Sequence, residues 1–234
     1  MASFILGILG FTIDDSFIES FDKQRVYIFP HTTRFECIIN CLALLAVDKR
    51  KYICFPVAQE YMETPILGSI LSWFGAVKII KGSNMVETIS NHLKENRNKV
   101  IALSPEGSLS AKEWKSGFFH IAKNIGVPIC VGGIDFVNHI ILSNIDQEII
   151  INENDTYEDR REEIEKMFSL SKIYPLYPES SYPQVIMDES LKTSYFDREW
   201  FSFLIFLFMI IVAIPLKFIY DTLIVLYDFV SLFF

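Results

Sequence analysis

Apolar positions along this chain come in short unbroken runs separated by longer mixed segments. The runs RVYIFP (Arg25 to Pro30), KYICFPV (Lys51 to Val57), Val77 to Ile80, Val100 to Leu103 and Val127 to Phe136 are almost continuously apolar. Runs of this length read as strands buried on both faces, as in a parallel sheet. The segments between them carry helix signals. One helix is expected from about Thr33 to Val47, one opens at Pro65 and ends near Phe74, one is capped by Ser83 and reaches about Glu95, and one lies near Gly117 to Asn124. This alternation predicts an α/β domain with a largely parallel sheet covered by helices on both faces, and ligands then belong at the carboxyl ends of the strands. VNHI, between GGIDF and IILSN, reads as a hairpin turn that gives the sheet an antiparallel edge, and TYEDRREEIEKMF reads as a charged surface helix.

The pattern changes towards the C-terminus. Ile173 to Pro183 is rich in Pro and Tyr, and from Trp200 to Leu216 there are seventeen residues without a charge. Seventeen helical residues reach about 25 Å, at the lower limit for a hydrocarbon core of roughly 30 Å. The expected organisation is an α/β domain over 1–170, a linker over 171–198 and a membrane-associated helical segment over 199–234, either a span or a hairpin broken near Pro215. The N-terminal run Ser3 to Phe11 is short, has no basic residue before it and leads into DDSFIESF, so no cleaved signal peptide is expected.

A chain of 234 residues is long enough for one sizeable core. Its net charge of −8 argues against a nucleic-acid partner, which needs clustered Lys and Arg. The four cysteines form no C-x-x-C pair; Cys37 and Cys41 share a helix face, where they are expected to pack as small apolar residues in a reducing, cytosolic setting. Neither they nor the four scattered histidines offer metal-ligand spacing, so no metal is expected.

Two stretches could carry chemistry. In HTTRFE, His31 ends a strand and Glu36 falls in the first turn of the next helix. A carboxylate turned onto one ring nitrogen leaves the other free to take a proton, as a general base must. Thr33 to Glu36 is equally a capping box, in which Glu36 would bond the helix start and never touch His31. The second stretch, SPEGSLSAKEWKSGFFHIAKNIGVPI from Ser104 to Ile129, again follows a strand. There Gly107 permits close backbone approach to a ligand, and Glu106 stands at a strand's carboxyl end, where a turn alone needs no carboxylate. His92, His120 and His139 read as structural or surface residues.

Together the two stretches, with LGSILSWFGAVKIIKGS between them, resemble the blocks of the glycerolipid acyltransferase family, the lysophosphatidate acyltransferases and their relatives, over roughly Gly10 to Phe168. That family carries H-x4-D and then P-E-G-T-R. The resemblance implies an O-acyltransferase at a membrane surface, moving a fatty acyl group from acyl-CoA or acyl carrier protein to a (lyso)glycerolipid hydroxyl, with no bound cofactor. His31 would be the base, Glu36 its orienting carboxylate, and Glu106 with Gly107 part of the acceptor-binding wall. Lys81, Ser108 and Lys115 would hold the acceptor's head group. The catalytic domain would face the cytosol, held by the C-terminal segment in place of the family's N-terminal anchoring helices.

The departures concern substrate choice. Glu36 replaces the family's Asp, Lys81 stands where an arginine is frequent, and P-E-G-T-R has become P-E-G-S-L, with Leu109 removing an arginine. Lysine keeps the charge but loses the bidentate fork that suits phosphate. Lys112 and Lys115 could replace some of it. Two other functions stay open: a non-catalytic lipid-binding module whose altered turn reports lost activity, and a thioesterase-like hydrolase in which His31 activates water.

Overall fold

The computed structural model describes residues 1–31, 35–107, 113–175 and 183. Among these, seven strands make one sheet: β1 (Thr12–Ile13), β2 (Val26–Ile28), β3 (Ile53–Ala58), β4 (Ala76–Ile79), β5 (Val100–Leu103), β6 (Ile129–Asp135) and β7 (Ile140–Ser143). Their order is β1-β7-β6-β2-β5-β3-β4. Every pairing is parallel except β6 with β7. β2 is the centre: Val26, Tyr27 and Ile28 are all buried, with Ile28 opposite Leu103 on one side and Val131 on the other. An unbroken apolar run is what such a position requires, since both faces and both edges of the strand are covered.

The helices are α1 (Ala2–Ile8), α2 (Asp15–Glu19), α3 (Phe35–Ala46), α4 (Gln59–Met62), α5 (Pro65–Trp73), α6 (Met85–Glu95), α7 (Gly117–Ile125) and α8 (Tyr157–Ser169). The chain leaves β2 through α3 towards β3 and leaves β5 through α7 in the opposite direction, towards β6. Right-handed crossovers lay two such helices on opposite faces and open a crevice at the carboxyl ends of the two strands. Packing agrees with this layering, because α3 lies against α1 while α7 lies against α6.

Several expectations shift. The cap of α6 is Asn84, whose side chain accepts from the Glu87 amide at 3.2 Å; Ser83, one residue earlier, bonds back to the Ile80 carbonyl instead. The antiparallel pair is real but does not form the border, since β1 adds a parallel strand outside β7. The acidic helix α8 is only half a surface element. Ile164, Met167 and Phe168 are buried, and Trp114 sets its ring edge-on to Phe168 at 5.0 Å. At the start of the Pro/Tyr-rich stretch, Ile173 and Tyr174 are buried, and the Tyr174 carbonyl accepts from the Phe136 amide at 2.9 Å.

Below the sheet centre, Arg25 is buried and pairs through Nε with Glu148, which also takes Lys23 at 2.6 Å. Among the described residues no helix is long and apolar enough to cross a membrane. The segment 199–234 lies outside them.

Candidate functional site

Register explains why two distant stretches meet. Ile28 and Leu103 are paired across β2 and β5, and His31 and Glu106 each stand three residues further on. Parallel strands put both at the same edge of the sheet, in the crevice between β2 and β5. The backbone amide of His31 donates to Oε2 of Glu106 at 3.3 Å, and the Ser104 hydroxyl donates to the same oxygen at 3.1 Å. Glu106 is only 1% exposed. Its carboxylate therefore ties the end of β5 to the end of β2, and the exposed member of the turn is Gly107.

His31 Nδ1 lies 3.0 Å from Oε2 of Glu36, which is 3% exposed in the first turn of α3. An ionised carboxylate can only accept, so the proton of this bond sits on Nδ1 and Nε2 is the nitrogen left to take another. The hydrogen bond to Glu36 raises the imidazole pKa above the ordinary 6.5, and partial burial opposes it. The Phe29 ring stands edge-on to the imidazole at 6.2 Å. Glu36 thus reaches the ring, which a carboxylate acting solely as a helix cap would not do.

Gly107 closes the turn after β5 with φ of 69°, a left-handed conformation that a side chain resists, and its amide donates to the Ser104 carbonyl at 3.1 Å. Lys115 is folded over it. The Lys115 amide donates to the Pro105 carbonyl at 2.9 Å, and Nζ lies 3.3 Å from where a Cβ on Gly107 would stand. Lys81 is exposed just past the end of β4, on the same edge of the sheet but with β3 between it and β5. Two strand spacings are about 10 Å. His31, Glu36, Glu106, Gly107 and Lys115 therefore form one cluster and Lys81 its outer flank. Ser108, Leu109 and Lys112 lie outside the described residues.

The sequence reading missed Cys37. It was expected to pack as an apolar residue with Cys41, yet Cys37 is exposed and Cys41 partly so. A hydrogen bond from Cys41 lowers the Cys37 thiol to about 7, with burial opposing and His31 adding to the fall. Its place in the first turn of a helix, near His31, was the available signal, and the neighbouring Glu36 works against it. Of the other histidines, His120 is exposed, while His92 and His139 are partly covered, His139 against the Phe11 ring at 5.7 Å. No group of metal-ligating side chains occurs among the described residues.

Compared with family models, with curated proteins and with solved structures, the chain matches none.

Proposed function

We propose that this chain is an O-acyltransferase working at a membrane surface, carrying a fatty acyl group from an acyl-CoA or acyl carrier protein thioester to a glycerolipid-like hydroxyl. The observation that carries the reading is the 3.0 Å contact of Glu36 with His31 Nδ1, at a strand's carboxyl end and beside the turn that bears Glu106. A histidine so held is oriented and made more basic before substrate arrives. The acceptor hydroxyl gives its proton to Nε2 as its oxygen attacks the thioester carbonyl. The tetrahedral centre then collapses, the C–S bond breaks, and the imidazolium returns its proton to the leaving thiolate. Products are the ester and free thiol, with no acyl-enzyme.

Glu106 keeps His31 in place rather than meeting substrate in this scheme, while Lys115 over Gly107 and Lys81 on the flank offer positive charge to the acceptor's head group. Ser108 remains a candidate on sequence grounds alone. Loss of the arginine forks implies a relaxed or altered head-group preference. Membrane attachment through 199–234 and a cytosolic catalytic domain belong to the same proposal, resting on the uncharged run from Trp200 to Leu216.

The test is thiol release from a long-chain acyl-CoA with and without lysolipid acceptors. Release that requires acceptor and yields esterified product supports transfer. Release indifferent to acceptor would make the protein a hydrolase using the same histidine, and none would make it a binding module.

A further inference from the structure

We infer that the outward face of α4 and α5 is an interfacial binding surface for a bilayer carrying anionic headgroups. α5 is an apolar helix that contributes almost nothing to the core: among its residues only Gly68 is buried. At about 100° per residue, Ile66, Ile70 and Trp73 fall within an arc of about 60°, Leu67 flanks it, and Gly68 lies on the far side. A Cβ on Gly68 would come within 2.0 Å of the Met62 carbonyl oxygen. Close backbone contact therefore locks α5 onto α4 and turns the opposite, apolar face outward. That face is open: Ile66 is 49% exposed and Trp73 52%, and Tyr61 and Ile80, just past the carboxyl ends of β3 and β4, are exposed as well. A helix apolar on its outer side is unfavourable in water unless something covers it.

The charge around the patch identifies the cover. Between Lys49 and Lys81 there are five basic residues and two acidic ones, Glu60 and Glu63, a net +3 in a chain of net −8. Arg50 ties this charge to the apolar face directly, stacking its guanidinium over the Trp73 ring at 3.9 Å and donating to the Trp73 carbonyl at 2.7 Å. Lys51 follows it in the turn before β3, Lys78 is exposed on β4 with Glu63 3.8 Å from its Nζ, and Lys81 is exposed just beyond. Apolar side chains with Trp and Tyr among them, rimmed by Lys and Arg, match the interface of an anionic bilayer, where rings sit at headgroup level and bases meet phosphates. A second copy of the chain would bring the same positive rim against itself. The surface also adjoins the cluster around His31, since α4 starts at the carboxyl end of β3, next to β5. Delivery of a lipid acceptor to that cluster rests on the acyltransferase reading; the docking does not.

The experiment uses the full chain with Trp114→Phe and Trp200→Phe, so that Trp73 is the sole tryptophan, and vesicles of phosphatidylcholine with or without about 30% phosphatidylglycerol. Trp73 emission is expected to shift to the blue and to become shielded from acrylamide on anionic vesicles, less so on neutral ones. Ile66→Asp with Ile70→Asp should weaken this transition at least about 10-fold, whereas Phe4→Asp with Ile8→Asp, on the exposed apolar side of α1, should leave it unchanged. Trp73 still quenched while the chain floats with vesicles would overturn the inference, as would Trp73 already shielded without them, which means cover by the chain itself or a second copy. If Trp114→Phe impairs folding, backbone hydrogen exchange over 59–80 in the unaltered chain gives the same decision: protection by anionic vesicles supports the surface, and unchanged exchange refutes it. Neither readout involves turnover. An inactive chain with a shielded Trp73 fails the acyltransferase reading alone, and an active one with an accessible Trp73 fails the docking alone.

Discussion

The backbone amide of His31 donates to the carboxylate of Glu106 across 3.3 Å, so the ends of two adjacent strands are fastened by a buried side chain from the second of them. Glu106→Ala removes a buried acceptor from the His31 amide and the Ser104 hydroxyl, which should cost about 1–3 kcal/mol of stability. Transfer per folded molecule should fall as well. Glu106→Gln retains a carbonyl oxygen for the same donors and should recover most of the stability. Denaturant midpoints beside single-turnover rates check this. A Glu106→Ala protein with unchanged midpoint and rate would mean that the tie holds nothing.

The His31 and Glu36 pair sets a pH signature. The proposed reaction requires a neutral imidazole, and the hydrogen bond to Glu36 raises its pKa above 6.5. The rate should therefore fall on the acid side with a midpoint above the ordinary histidine value. Glu36→Gln removes the negative charge, so this midpoint should move to lower pH while the maximal rate drops, because the ring is less basic and less firmly oriented. A pH profile of kcat/KM for both proteins decides it. An unmoved acid limb would return Glu36 to the role of helix cap.

Cys37 provides a probe from outside the proposed pair. With its thiol near 7, its thiolate fraction grows as pH rises through that value, and iodoacetamide should label it with half-maximal rate near pH 7. Cys54 and Cys130 are buried and pushed up to about 12, so they should stay unlabelled in the folded chain. An adduct so near His31 should block transfer, yet Cys37→Ser should remain active, since the sulfur has no part in the proposed reaction. Peptide mapping with residual turnover reads both effects. Full activity after complete alkylation of Cys37 would place the reaction elsewhere.

Lys81 should matter for the acceptor alone. It is exposed and two strands from the cluster, so Lys81→Ala is expected to raise the acceptor's KM about 3-fold or more while kcat and the donor's KM change little. Lys115→Ala, over Gly107 at the centre, should affect both substrates. Equal KM values for native and Lys81→Ala proteins would make Lys81 an ordinary lysine at a strand end.

What the sequence disclosed follows from how strongly each feature is written locally. β2, β5 and β6 are legible because burial on both faces demands an unbroken apolar run; β3 and the border strand β4 carry similar runs although β4 has no buried residue. β1 is not legible, being two residues long and held by main-chain bonds such as Thr12 N–H to the His139 carbonyl, which leave no pattern in side chains. Asn84 and Ser83 are both capping residues, so only backbone geometry selects between them. Ile173 and Tyr174 read as linker by composition, but the bond from Phe136 to the Tyr174 carbonyl draws them into the core. At the candidate site, spacing brings Glu36 within reach of both the helix start and the ring. Which it takes depends on side-chain placement, and the same holds for Glu106, whose tie to the His31 amide no motif expresses.

The most direct test of the account is acceptor-dependent thiol release by the full-length His31→Ala protein, with folding verified by circular dichroism and thermal midpoint. A general base contributes about 10²–10⁴-fold, so loss of turnover by at least a hundredfold with an intact fold is the predicted result. Near-native turnover by a folded His31→Ala protein would contradict it.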